Sequence, residues 1–329
     1  MKKALGRSGI EVSALGMGCW AIGGPFSWDG RPVGWGQVDD AESLRAVERA
    51  LELGVTLFDT AAVYGCGHSE RILGQALKNR REEVVIATKF GIDFDEAKRE
   101  VIGISMGITP DYVRASCEAS LKRLRTDYLD VLQLHPAEYE TARAHEVRDA
   151  LESLVNEGLI RTYGWSITHV EGVEIFAEGE HCAVTQNQLH VLDDQPGFLE
   201  VCERLNIAWL CRGPLAMGLL TGKYHQGSKM AADDVRGGWD TTSGAEATQL
   251  KQLAQLRELL TQDGRNLAQG ALGWVLARSP LTIPIPGFKT VQQVEENAGV
   301  LTVSPLDTQT MTKIEKVTRN FTTATSPHD

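Results

Sequence analysis

Phe58-Asp59, Thr88-Lys89 and Leu134-His135 each close an apolar run with one ionisable side chain, and Tyr64 follows Asp59 by five residues on the stretch Thr60-Ala61-Ala62-Val63-Tyr64-Gly65. Singly, each has an ordinary explanation: an aspartate capping a turn, a solvated lysine, a histidine on a rim. Together they form a proton-donating set. A tyrosine has a pKa of about 10 and is a poor acid near neutrality. A nearby ammonium favours the phenolate and lowers that pKa. A carboxylate beside the ammonium keeps it charged and aimed, and an imidazole in the same pocket can hydrogen-bond a carbonyl oxygen. With a hydride source alongside, such a site is equipped to reduce C=O.

For these side chains to meet, the runs that carry them must be neighbouring strands ending at one level. Strand-like runs occur at Val12–Gly18, Thr56–Asp59, Val84–Lys89, Tyr128–His135, Ile160–Ser166, Val184–Gln188, Ile207–Cys211 and Thr282–Ile285. Several, such as Val84-Val85-Ile86-Ala87, are apolar at consecutive positions, which suits strands buried on both faces of a parallel sheet. Amphipathic segments lie between them: Ala41–Leu53 ending at Gly54, Ser69–Leu77, Pro110–Leu124 after Thr109, Ala142–Gly158 and Gly197–Leu205. Eight strands alternating with helices predict an α/β fold, a (β/α)8 TIM barrel spanning residues 1–329 as one domain, with an N-terminal β-hairpin and the site at the carboxyl ends of the strands.

A doubly wound dinucleotide fold is the competitor. Gly16-Met17-Gly18-Cys19-Trp20-Ala21 fits G-x-G-x-x-A, but Ile22–Gly30 has loop composition where that fingerprint needs a helix. Gly213–Gly218 likewise fails the P-loop pattern, because Leu219 stands where lysine is required. Three connections, Cys19–Asp39, Gly91–Thr109 and Leu220–Ala247, are long enough to read as functional loops at the mouth. Trp20, Trp28, Trp35, Trp165 and Trp239 read as an aromatic rim there, and Thr322–Asp329 as a frayed tail.

The chain resembles the aldo-keto reductase family. The resemblance rests on Phe58-Asp59-Thr60-Ala61, Tyr64-Gly65, Ser69-Glu70, Ala87-Thr88-Lys89, Asp130–His135, Gly164-Trp165-Ser166, Gln186-Asn187-Gln188, Pro214–Tyr224, Ile285-Pro286-Gly287 and Glu296-Asn297, in family order over nearly the whole chain. It implies a barrel that reduces aldehydes or ketones with NADPH (NADH being the alternative), and a catalytic tetrad of Asp59, Tyr64, Lys89 and His135. It implies cofactor contacts at Gly18 and Trp20, at Ser166 and Gln186 for the nicotinamide carboxamide, and at Leu215, Gly218 and Lys223 for the pyrophosphate. Gly287, Phe288 and Lys289 would surround the ribose and its 2′-phosphate, with Glu296 and Asn297 at the adenine. The segment before Val291–Val300 agrees, since a helix N-terminus favours an anion and Lys289 adds a positive charge.

The chain departs from the family pattern at four places. Ile167 replaces the asparagine usual after the carboxamide serine. The nicotinamide-stacking aromatic reads as Cys211. Arg212 stands where a small hydroxyl residue is common and could reach the pyrophosphate. Gln293 replaces an arginine that often pairs with the 2′-phosphate, which leaves Lys289 as the main discriminator.

The composition bounds the rest. The 329 residues are 42% hydrophobic and 23% charged, enough for a large core, and the formal net charge of −11 argues against general affinity for nucleic acid or anionic membranes. No secretory signal or membrane span is read. Cys19, Cys66, Cys117, Cys182, Cys202 and Cys211 form no C-x-x-C pair and read as reduced cytoplasmic thiols. The expected partner is a small carbonyl substrate, and the oligomeric state is left open. Two rivals remain: a catalytically silent nucleotide-binding barrel with a regulatory role, and a metal-dependent hydrolase using Asp59, His135 and His190, which no His/Glu spacing supports.

Overall fold

Residues 1–322 are described in a computed structural model. Thr322 ends the last helix, so the expected fraying of the tail lies, beyond that residue, outside the described residues. In chain order the strands are β1 (Lys2–Ala4), β2 (Glu11–Ser13), β3 (Gly16–Gly18), β4 (Ser27–Trp28), β5 (Arg31–Pro32), β6 (Leu57–Asp59), β7 (Val85–Phe90), β8 (Ile92–Asp95), β9 (Glu100–Ile104), β10 (Leu129–Leu134), β11 (Ile160–Ser166), β12 (Cys182–Gln188), β13 (Ala208–Arg212) and β14 (Thr282–Pro284). The helices are α1 (Asp40–Glu52), α2 (His68–Ala76), α3 (Pro110–Leu124), α4 (Thr141–Asn156), α5 (Val170–Ala177), α6 (Pro196–Leu205), α7 (Ala245–Leu260), α8 (Leu267–Arg278), α9 (Val291–Ala298) and α10 (Thr308–Thr322).

Eight strands form one parallel sheet in the order β3-β6-β7-β10-β11-β12-β13-β14. Its two edges meet where Gly18 donates its backbone N–H to the Pro286 carbonyl at 2.9 Å and bridges Gly287. A Cβ on Gly18 would lie 2.7 Å from the Ile285 carbonyl oxygen, so only glycine permits this closure. The result is the expected α/β barrel. Alternation along each strand divides the apolar residues into two layers. Leu57, Val85, Ala87, Val131, Val184, Ala208, Leu210 and Ile283 fill the interior, and Leu5, Ile10 and Val12 of the β1–β2 hairpin plug its lower end. Phe58, Ile86, Leu132, Tyr163, Trp165, Trp209 and Cys211 face outward against the helices.

Two readings of the sequence need correction. Val12–Gly18 is two strands, because β2 leaves to pair with β1 and only β3 joins the barrel. The long connections after β3 and β7 are not irregular throughout: β4 and β5 pair with β8 and β9 into a small sheet in the order β5-β4-β9-β8. Segments about 70 residues apart in sequence thereby brace one another over the mouth.

Candidate active site

Asp59 ends β6, Lys89 lies in β7 one residue from its end, and His135 follows β10 with its N–H donated to the Phe90 carbonyl at 2.9 Å. Lys89 Nζ donates to Asp59 Oδ2 at 2.7 Å and to the Thr60 carbonyl at 2.8 Å. Both members of the pair are buried, at 1% and 3% exposure. Asp59 Oδ1 accepts from Gln186 Nε2 at 2.8 Å and more weakly from Gln133 Nε2 at 3.4 Å. The carboxylate is therefore held on both oxygens, as a buried charge requires.

Tyr64 lies over this pair. The Lys89 ammonium is 5.1 Å from its ring centroid, and the His135 ring stands edge-on to it at 5.8 Å and 84°. The loop is held from beneath: Ser69 Oγ donates to the Cys19 carbonyl and meets Thr60 Oγ1, both at 2.8 Å. Gly65 adopts a φ of +60°, and a Cβ there would lie 1.9 Å from the Gly23 carbonyl oxygen. Any larger residue would push the first loop off the tyrosine.

Burial raises the Tyr64 pKa above its ordinary value, and Lys89 only partly opposes this. The lowering that the sequence suggests is thus reversed in net by desolvation, and the phenol keeps its proton. Burial also works to lower Lys89, but Asp59 and Tyr64 outweigh it and its pKa is raised. Burial, then Lys89 and Arg212, push His135 well below the usual imidazole range. The site holds a neutral phenol, a fixed ammonium and a neutral imidazole.

Trp20 stacks on Tyr64 at 5.9 Å and 19°, and Trp35 meets Trp20 edge-on at 5.5 Å. Trp239 packs on Tyr224 in the loop after β13, and Trp28 lies in β4. Trp165 does not join this rim. It is buried outside the barrel against Phe176 and donates to the Pro136 carbonyl at 2.8 Å. The same alternation turns the Cys211 side chain outward, fully buried beneath the helices. Arg212, next along β13, takes the mouth-facing position instead, near enough to act electrostatically on Tyr64 and His135.

The remaining expected contacts fall on the rim of the same face. Ser166 and Gln186 are register partners at the ends of β11 and β12, and the Ile167 side chain is buried outside the barrel. Leu215 is buried in the outer core, while Gly218 has a φ of +102° after Ala216 and Met217, also left-handed. Lys223 is exposed. Asn297 Nδ2 donates to the Gly287 carbonyl at 3.3 Å, Glu296 is exposed and Phe288 is buried. Gly18 works as the closure described above. Lys289 Nζ donates to the Trp35 carbonyl and, at 3.3 Å, to that of Gln37. Its backbone N–H is received by Gln293 Oε1 at 2.7 Å.

Sequence reasoning missed Gln133 and Arg236. Gln133 belongs to an apolar run that gave no hint of the Asp59 it meets. Arg236 is paired with Asp234 at 2.6 Å, donates to the Met217 carbonyl at 3.1 Å and lies over the Trp35, Tyr224 and Trp239 rings. It ties the loop after β13 to the loop after β3, and nothing local in its sequence announces this.

Could the rim hold a dinucleotide? A lysine held by neutral carbonyls and an arginine whose guanidinium has no carboxylate among the described residues at bonding distance, both on the mouth face, leave positive charge available to phosphates. The donor set fits such a ligand.

At the mouth of the eight-stranded barrel a tyrosine thus lies over a buried lysine–aspartate pair. The aldo/keto reductase family model matches residues 14–319, and the chain belongs to that family. It is 31% identical over 320 residues to the chloroplastic pyridoxal reductase of Arabidopsis thaliana, covering 89% of this chain and 80% of that one. It is 30% identical to the aldo-keto reductase YhdN of Bacillus subtilis, covering 88% and 85%. Among solved structures, the glycerol dehydrogenase AKR11B4 from Gluconobacter oxydans superposes with a TM-score of 0.84 at 28% identity, covering 100% and 97%. The holo form of aldo-keto reductase AKR11C1 from Bacillus halodurans superposes at 0.78 and 28%, covering 96% and 95%.

Proposed function

We propose that the protein is an NADPH-dependent carbonyl reductase in which Tyr64 is the proton donor. The observation that carries this reading is the Lys89 ammonium, locked on Asp59 at 2.7 Å beneath the Tyr64 ring. A nicotinamide held at this mouth would supply the hydride. Tyr64 gives its proton to the carbonyl oxygen as charge develops there, and Lys89 stabilises the phenolate left behind. The neutral His135 imidazole hydrogen-bonds the same oxygen and fixes the carbonyl's orientation. Trp20 and Trp35 exclude water above it. Run backward, the same groups oxidise an alcohol.

Ser166 and Gln186 are assigned to the nicotinamide carboxamide; on binding, Gln186 shares the donor it now gives Asp59. Arg212, Gly218 and Lys223 are assigned to the pyrophosphate, Lys289 to the 2′-phosphate, and Glu296 with Asn297 to the adenine. A relative named aldo-keto reductase yakc [NADP(+)] from Schizosaccharomyces pombe, 28% identical over 304 residues and covering 90% of this chain and 86% of its own, supports the cofactor. Relatives named for pyridoxal and glycerol support small oxygenated substrates. We read residues 1–329 as one barrel unit. No helix among the described residues is long and apolar enough to cross a membrane, and the six free cysteines support a reducing cytoplasm.

The test is oxidation of NADPH and NADH, in parallel, against a panel of aldehydes and ketones. Turnover abolished by Tyr64→Phe, with cofactor binding retained, supports the assignment. Tight cofactor binding with no turnover on any carbonyl identifies a silent regulatory barrel instead.

A further inference from the structure

The amino-terminal end of α9 lies just beyond Lys289, and its first N–H is already occupied. Val291 donates it to Glu42 Oε1 at 2.9 Å, across from the first turn of α1. Arg45 Nη2 holds the other carboxylate oxygen at 2.6 Å. The Val291 N–H, followed by Arg45, keeps the Glu42 carboxyl below the usual carboxylate range, so it is charged at neutral pH. Glu42 is thus an anion built into the chain at a helix end, two residues beyond Lys289, where the exposed N–H groups would otherwise favour an anionic ligand.

Charges of both signs surround Lys289. It faces Asp234 and Asp233 from the loop after β13, with Arg236 and Lys223 as the opposing cations, and Asp233 approaches Gly36 of the first loop. Arg236 is committed to Asp234, and Gln293 contributes a neutral amide to the Lys289 backbone. A 2′-phosphate beside Lys289 carries about −1.5 to −2 charge near neutrality and would meet the Glu42 and Asp233 carboxylates, Asp234 being paired with Arg236. A ribose 2′-hydroxyl is neutral and is a donor that a carboxylate can receive, as acidic residues do at NAD sites generally.

We propose that Glu42 is a cofactor-discriminating residue: its carboxylate on the end of α9 opposes the 2′-phosphate of NADPH, so NADH binds this protein with comparable affinity. The proposal rests on the placement of the 2′-phosphate beside Lys289. Its test is direct binding of NADPH and NADH, followed by quenching of tryptophan fluorescence, in the wild-type protein and in Glu42→Gln. The glutamine keeps an acceptor for the Val291 N–H but removes the charge.

For the wild-type protein we expect dissociation constants for the two cofactors within about tenfold of one another. In Glu42→Gln the NADPH constant falls by roughly 3–30-fold, the range that removing one Coulomb repulsion near the surface allows, while that for NADH is unchanged or rises. An unmoved NADPH-to-NADH ratio in a folded variant overturns the proposal. If Glu42→Gln unfolds, the exposed Asp233→Asn carries the same expectation from the other side of Lys289, and its failure to move the ratio overturns the proposal equally. Binding of neither cofactor by the wild-type protein would sink the cofactor reading instead, which is a distinguishable result.

Discussion

Lys89 and Lys289 are the same residue type on the same face of one barrel, yet they are built for different work. Lys89 is sealed in a strand, bonded to a carboxylate, and its pKa is raised. Lys289 sits half-buried on a loop and is held by the main-chain carbonyls of Trp35 and Gln37. Burial lowers its pKa despite nearby aspartates. The difference is the one that the two proposed roles require. A lysine paired with a buried carboxylate cannot leave without stranding that charge. A lysine on neutral carbonyls can exchange them for a phosphate and gain a charge-assisted bond.

The comparison is most severely tested at Lys89. Lys89→Met should cost catalysis at least about 10²-fold and destabilise the fold by roughly 3–5 kcal/mol, because Asp59 is left buried and unpaired. Adding Asp59→Asn should return most of the stability and none of the activity, as read by thermal unfolding and turnover. Reduction needs Tyr64 protonated and is lost as pH rises through its folded pKa, which burial has raised. Removing the opposing ammonium moves that alkaline limit further upward; an unchanged pH profile would show that Lys89 does not tune the acid.

Tyr64→Phe should lower kcat by about 10²–10⁴-fold with the cofactor Kd near wild type. Retention of more than about a tenth of the activity would place the acid elsewhere. Lys289→Ala should raise the Kd for NADPH by roughly 10–150-fold and leave that for NADH nearly unchanged, the span of about 1.5–3 kcal/mol for one charge-assisted bond. Equal losses for both cofactors would mean that Lys289 does not receive the 2′-phosphate.

The smallest expected effect is at Arg236. Arg236→Gln keeps some hydrogen bonding but loses the charge over three aromatic rings, about 0.5–2 kcal/mol for such contacts. Faster cofactor release and easier proteolysis within residues 225–240 are expected, with thermal unfolding of the barrel little changed. A large loss of stability would show that the rim is not separable from the core.

The readable parts of the chain are those with local signals. Asp59, Lys89 and His135 were legible because strand-length apolar runs end on them, and α3 because Thr109 caps it and Pro110 opens it. Helix α8 left no amphipathic stripe to read, since it is buried nearly all round. Tyr64 lies beside Lys89 and His135, as its spacing from Asp59 suggests, but its pKa moves the opposite way, because desolvation depends on what covers a residue and not on its neighbours in sequence.

By itself, then, the sequence determined the succession of the barrel strands, the apolar runs that end on Asp59, Lys89 and His135, and the family, all of which are written in periods and motifs a few residues long. The tertiary structure alone decided which side of β13 faces the mouth, making Arg212 rather than Cys211 the residue there. It decided that the loops after β3 and β7 pair as a sheet, that Gln133 and Gln186 meet on Asp59, and that Glu42 reaches α9 from about 250 residues away. The physical reason is common to all four. Register within a strand, pairing between loops and the company of a buried charge are set by non-local contacts, whose partners the chain does not announce in advance.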